Sequence, residues 1–162
     1  MNELQTSLCY IEAAGRYLMM HRIKKENDLN HYKWVGIGGK FLEGETPEEC
    51  MLREVKEETG LELEEWRYRA VVYFRSDKWS PEAMHLFTAT PSSENISIEC
   101  GEGVLEWVDK EKVCDLPIWE GDKIFFALLN AEYPFFELEL FYQGDLLSKA
   151  ILDGKVLYTA EC

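Results

Sequence analysis

The sequence predicts an α/β fold, with a mixed, curved β-sheet sandwiched between α-helices. Two observations carry that expectation. Short segments rich in β-branched and aromatic residues recur along the chain, separated by glycine, proline and polar turns. Two further segments, one opening at Thr46 and one at Trp119, carry apolar residues at helical spacing. With 162 residues, the chain is read as a single domain spanning 1–162, large enough to bury a core.

Taken in order, Leu4 to Glu12 reads as a strand, Ala13-Ala14-Gly15 as a turn and Tyr17 to His21 as the return strand of a hairpin. Ile23 to Lys33 is polar and reads as a loop. Trp34 to Ile37 is a short strand running into Gly38-Gly39, a pair suited to a tight turn or a close backbone approach. Thr46-Pro47-Glu48-Glu49 is a capping box with proline at the first helical position. Gly60 is placed to end that helix in the left-handed region. Between them Leu52, Val55 and Thr59 make a buried stripe.

Trp66 to Arg75 and Ala83 to Ala89 read as strands joined by the loop Ser76 to Pro81. Pro91 to Gly103 is polar and irregular, with a short strand at Ile96 to Ile98. Val104 to Val108 is a strand, Asp109 caps a short helical turn through Cys114, and Pro117 breaks the chain. Trp119 to Asn130 is the second helix, with Ile124, Phe125, Leu128 and Leu129 on one side. Phe136 to Phe141, Leu146 to Leu152 and Val156 to Tyr158 are strands. Asp153-Gly154 is the hairpin turn between the last two.

The formal charge of −14 argues against a nucleic-acid polymer as partner, because that needs basic surface. It leaves room for a small polyphosphate carried in with a metal ion. The five cysteines, Cys9, Cys50, Cys100, Cys114 and Cys162, show no metal-ligand spacing and read as reduced thiols. The N-terminus has no basic and apolar leader pattern. The longest wholly apolar run, Ile124 to Leu129, is far too short for a membrane span. The expectation is a cytoplasmic protein with no membrane partner, acting as a monomer or a homodimer.

The chemistry concentrates between Gly39 and Leu61. Glu54, Glu57 and Glu58 lie at i, i+3 and i+4, on one side of the predicted helix. Two unit charges about 4 Å apart repel by about 4 kcal/mol at an effective dielectric of about 20. Such a cluster is stable when hydrated, partly protonated or bound to a cation. Oxygen ligands select a hard ion, Mg²⁺ or Mn²⁺. An acidic helix face alone is ordinarily just solvated, so the cluster gains meaning from its surroundings.

Those surroundings are Gly39, then Glu45, then Arg53-Glu54-Val55, then Glu57-Glu58, then Gly60-Leu61. This run resembles the Nudix box at every specified position. The resemblance implies the Nudix fold and hydrolysis of a diphosphate linked to another moiety. It implies that Glu54 and Glu58 bind the metal directly. Glu57 is either a ligand to a second ion or the general base, and spacing leaves both open. Arg53 and Glu45 are expected to pair and brace the loop against the helix. The Gly38 carbonyl is expected to face the metal, with Lys40 near the phosphates.

An outlying metal ligand is expected as well. Glu102 lies five residues before Trp107, a spacing that is similar to MutT-like purine nucleotide sanitizers. Glu99 is its nearest competitor, and Glu106 should alternate to the wrong face. Ile118-Trp119-Glu120-Gly121-Asp122 resembles the corresponding segment of 8-oxo-dGTP diphosphatases, both the animal enzyme and bacterial MutX-type relatives. The similarity extends through Lys33 to Lys40 and Tyr133 to Phe136. It implies that Trp119 stacks on a purine and that Asp122 hydrogen-bonds its edge. Val35 and Gly121 depart from the animal enzyme's asparagine and second aspartate, which implies looser base discrimination. Tyr73, Phe74 and Trp79 are further candidates for the pocket wall, and Arg22 for phosphate binding. His21, His31 and His85 form no cluster.

The implied activity is Mg²⁺-dependent hydrolysis of oxidised purine nucleoside triphosphates to monophosphate and pyrophosphate, a step in nucleotide-pool sanitation and DNA repair. ADP-ribose, dinucleoside polyphosphates and coenzyme A-type diphosphates are the alternative substrates. An intact box speaks against a purely non-catalytic binding module.

Overall fold

The computed structural model describes residues 3–23, 30, 32–93 and 103–159. Among these residues ten strands form one open sheet: β1 (Leu4–Ala13), β2 (Arg16–His21), β3 (Trp34–Val35), β4 (Ile37–Lys40), β5 (Leu63–Ser76), β6 (Glu82–Pro91), β7 (Val104–Asp109), β8 (Phe136–Gln143), β9 (Leu146–Leu152) and β10 (Lys155–Thr159). Among the described residues two α-helices interrupt them, α1 (Pro47–Thr59) and α2 (Glu120–Asn130), with a 3₁₀ segment at Lys110–Asp115. The strand order is β10-β9-β8-β5-β6-β1-β2-β3, with β4 also pairing β1 and β7 pairing β2. The β1–β6 and β5–β8 pairs are parallel and the others antiparallel, so the sheet is mixed.

Strand β1 sits where the two layers meet and shows why. Its side chains alternate between faces. Tyr10 packs with Phe125 and Phe126 of α2, and Leu8 lies against the same cluster. Cys9 and Ile11 pack with Met51 and Val55 of α1. The sheet therefore carries one core on each face, each closed by one helix. None of the described helices is long and apolar enough to cross a membrane.

Helix α1 begins as its sequence dictates. The Thr46 hydroxyl accepts from the Glu49 N–H at 3.1 Å, and the Glu49 carboxylate accepts from the Thr46 N–H at 3.0 Å. Gly60 ends it with φ +73°. Its buried residues are Cys50, Met51, Val55 and Thr59, while Leu52 is only half-buried.

Several boundaries differ from expectation. The segment from Trp34 splits into β3 and β4 at Gly36, where an added Cβ would lie 2.9 Å from the Cys9 carbonyl oxygen and 3.0 Å from the Tyr10 ring. Gly38 and Gly39 belong to β4 rather than to a turn. A Cβ on Gly38 would lie 1.8 Å from the Ser7 carbonyl oxygen, so close approach explains the glycine. Strand β5 starts three residues earlier than its aromatic run, because pairing with β6 carries it back to Leu63. Trp119 precedes α2 as its N-cap residue, and Asp109 makes no side-chain cap. The expected strand at Ile96 to Ile98 lies outside the described residues.

Candidate active site

Helix α1 is fixed over β1 and β4 by small contacts. The Ser7 hydroxyl donates to the Pro47 carbonyl at 2.7 Å, and the Cys50 thiol donates to the Gly39 carbonyl at 3.4 Å. One turn on, Glu54 folds against Gly39 so closely that a Cβ there would come 2.7 Å from the carboxyl carbon. The glycine backbone and the first acid of the cluster thus share one wall.

Arg53 organises the acids. Its Nε donates to Glu45 Oε2 at 2.7 Å and its Nη2 to Glu45 Oε1 at 3.0 Å. Nη2 also reaches the Lys40 carbonyl at 3.1 Å. Nη1 donates to Glu54 Oε1 at 2.8 Å and to Glu57 Oε2 at 3.2 Å. Glu45 further accepts from the Leu42 N–H at 2.7 Å. The paired guanidinium and that N–H pull the Glu45 carboxyl down to about 2, and the same acids raise Arg53. The Arg53–Glu45 pair expected from the box is present, and Arg53 also balances two acids of the cluster. Glu54 is mostly covered while Glu57 is largely exposed.

Of these acids Glu54 lines a cavity of about 1000 Å³ that also takes in Gly38, Gly39, Lys40, Arg22 and Arg53. Its far end is built by α2 and the strands beneath it. Trp119 belongs to the core and lines the cavity, standing edge-on to Phe74 and Tyr142. The Trp119 indole donates to Asn30 Oδ1 at 2.7 Å, and the Lys33 ammonium lies 4.7 Å from the ring centroid. Asp122 is buried beside them. Burial pushes its carboxyl up to about 8, against the pull of Lys33. The Tyr142 hydroxyl holds the start of α2 by accepting the Gly121 N–H at 2.7 Å.

Of the aromatic candidates, Phe74 and Trp79 line the cavity. Tyr73 instead donates to Glu137, whose side chain is exposed. Val35 also lines the cavity, and Gly121 leaves no room for a larger residue, since a Cβ would meet Leu140 at 2.5 Å. Glu102 and its competitor Glu99 lie outside the described residues, as does His31. Glu106 is exposed. Thr6 and Glu82, which no motif flags, lie on the cavity floor with the Thr6 hydroxyl donating to Glu82 at 2.8 Å.

The donor chemistry fits a hard divalent cation. Glu54, Glu57 and Glu58 offer only oxygen, and Gly39 brings the backbone of β4 against Glu54. Among the described residues no three His, Cys, Asp or Glu side chains converge as a metal-holding group. The positive charge between Glu54 and Glu57 is the Arg53 guanidinium.

A model of the NUDIX domain matches residues 2–129. The chain belongs to the Nudix family. The zebrafish (Danio rerio) oxidized purine nucleoside triphosphate hydrolase is 29% identical over 91% of this chain and 92% of its own. A Nudix hydrolase of Bacillus subtilis, YvcI, is 35% identical over 70% of this chain and 71% of its own. Among solved structures, the MutT protein of Bacillus halodurans superposes with a TM-score of 0.80 at 25% identity, over 94% of this chain and 99% of that one. Family membership makes this chain a Nudix hydrolase acting on phosphoric anhydrides. Strands β8 to β10 follow the matched segment and extend its sheet.

Proposed function

We propose that this Nudix hydrolase cleaves oxidised purine nucleoside triphosphates, such as 8-oxo-dGTP, to the monophosphate and pyrophosphate with Mg²⁺, or Mn²⁺ in its place. The observation that carries the substrate choice is Asp122, a buried carboxyl at the end of the cavity away from the acidic helix, held protonated near neutrality. A protonated acid both donates and accepts. Oxidation of guanine at C8 turns the N7 acceptor into a donor and adds a carbonyl acceptor. A buried group of that kind senses such a change far better than apolar walls do.

In this reading Trp119 bounds the base and Asp122 reads its edge. Lys40 and Arg22 hold phosphate oxygens. Glu54 and Glu58 hold the metal beside Gly38, with Glu102 as an outlying ligand. Arg53 and Glu45 keep the loop and helix in register. Glu57 either holds a second ion or takes the proton from the attacking water. The bound cation neutralises phosphate oxygens and makes water a better nucleophile. The expected reactant is a small nucleotide, and the chain is expected to work without a membrane or a nucleic-acid polymer.

A turnover panel tests this: 8-oxo-dGTP, dGTP, ADP-ribose and diadenosine polyphosphates, with Mg²⁺ and with chelator. The reading requires 8-oxo-dGTP to lead the panel and chelator to stop turnover. A panel led by ADP-ribose or a dinucleoside polyphosphate overturns the substrate.

A further inference from the structure

We propose that Glu82 is a specificity residue that accepts a hydrogen bond from the 3′-hydroxyl of the bound nucleotide; this rests on the nucleotide reading above. Glu82 opens β6 opposite Leu4 of β1 and lines the large cavity, as do the apolar residues Leu4, Met84 and Trp79. Its Oε2 is held by the Thr6 hydroxyl at 2.8 Å. An ionised carboxylate has about four acceptor sites and no donor. One bond from Thr6 therefore leaves most of that capacity to a ligand in the cavity.

The register of β1 sets where Glu82 stands along the nucleotide. Glu82 itself pairs with Leu4, six residues from Tyr10 at the Asp122 end, and its carboxylate reaches back along the face to Thr6, four residues from Tyr10 or about 13 Å at the usual strand rise. Thr6 pairs with Met84 of β6 on one side and with Lys40 of β4 on the other. Lys40 and Arg22 are close enough to act on the Glu82 carboxyl. A base held at Trp119 and Asp122 and phosphates held at Lys40 and the acidic helix leave the sugar to cross the floor between them. Its hydroxyl is the donor that a carboxylate there requires. A bare phosphate oxygen at the same place would be repelled.

Burial raises the Glu82 carboxyl above its ordinary value, while Lys40 and Arg22 oppose that rise. The carboxyl is thus partly desolvated, which makes a hydrogen bond to a ligand worth more than at the surface. The same chemistry works against nucleotides phosphorylated on that hydroxyl, because their oxyanions would face Glu82.

The test compares dGTP with 2′,3′-dideoxy-GTP in wild type, Glu82→Ala and Glu82→Gln, by Mg²⁺-dependent turnover and by calorimetric binding. A hydrogen bond to a charged acceptor is expected to favour dGTP by about 10–100-fold in wild type. That preference should fall to near unity in Glu82→Ala and to an intermediate value in Glu82→Gln. A purely structural Glu82 would weaken both nucleotides equally. An unchanged preference in either folded variant, or equal handling of the two nucleotides by wild type, overturns the proposal. Binding with the expected preference but no turnover of either dGTP or 8-oxo-dGTP sinks the triphosphate-cleaving reading and keeps Glu82. Turnover without preference does the reverse; where neither guanine nucleotide binds, the comparison is made between 8-oxo-dGTP and its 2′,3′-dideoxy form, and a protein that neither binds nor cleaves that pair sinks both.

Discussion

Arg53 grips Glu45 through two parallel hydrogen bonds, Nε to Oε2 at 2.7 Å and Nη2 to Oε1 at 3.0 Å, and so ties the loop after β4 to the second turn of α1. The pairing holds the Glu45 carboxyl near 2, below its ordinary 4.5. A depressed carboxyl contributes stability above its unfolded value and loses it as the pH falls through its folded one. Wild type should therefore be more stable than Glu45→Gln at pH 6, with the gap closing between about pH 4.5 and about pH 2. Urea titrations across that range check it. A gap that persists undiminished at pH 2 would show that charge is not the cause.

Substituting Glu58 with Gln should lower Mg²⁺-dependent turnover by about 100-fold or more, since a charge near the transferring phosphates is lost. The metal-free protein should melt at the same temperature or higher, because one repulsion within the cluster goes. Turnover near that of wild type in this variant would remove Glu58 from the reaction.

Asp122 has the opposite linkage. Its carboxyl rises from 3.8 to about 8 in the fold. The folded state then holds a proton that the unfolded chain has released, so stability is full below about pH 4 and declines as pH rises toward 8. The decline is at most about 1.4 kcal/mol per pH unit. Asp122→Asn should flatten it and be the more stable protein at pH 8 in thermal melts. Asp122→Ala should damage turnover of 8-oxo-dGTP far more than Mg²⁺ binding. An unchanged substrate ranking would separate Asp122 from base recognition.

Tyr142 lies on β8, yet its hydroxyl accepts the buried Gly121 N–H at the start of α2. Tyr142→Phe leaves that N–H without its acceptor and should cost about 1–3 kcal/mol in urea unfolding. The same loss should loosen the placement of Trp119 and Asp122, and so raise the KM for 8-oxo-dGTP more than it changes kcat. A fully stable variant would show that Gly121 finds another acceptor.

The contrast between Tyr142 and α1 shows which parts of the fold were legible. The start and stop of α1 follow from Thr46, Glu49 and Gly60, whose partners lie within four residues. Local chemistry of that kind is written in order along the chain. The Arg53–Glu45 pair was readable because the resemblance to the Nudix box implies it. The parallel partnerships β1–β6 and β5–β8 were not, because nothing near Thr6 states that Met84 will lie beside it. Glu82 was missed for the same reason. Its partner Thr6 is 76 residues away, and a glutamate after a proline carries no mark of burial. The reach of Arg53 to Glu54 and Glu57 was also hidden, since rotamers rather than spacing decide it.

The central claim is that acids projecting from α1 gather divalent cations at the cavity mouth. The most direct measurement is anomalous diffraction from crystals soaked in Mn²⁺ with a slowly cleaved nucleotide analogue. The account predicts a manganese peak bonded to Glu54 and Glu58 and touching the phosphates, with Arg53 still on Glu45. Nucleotide density in the cavity with no ion beside those carboxylates would contradict it.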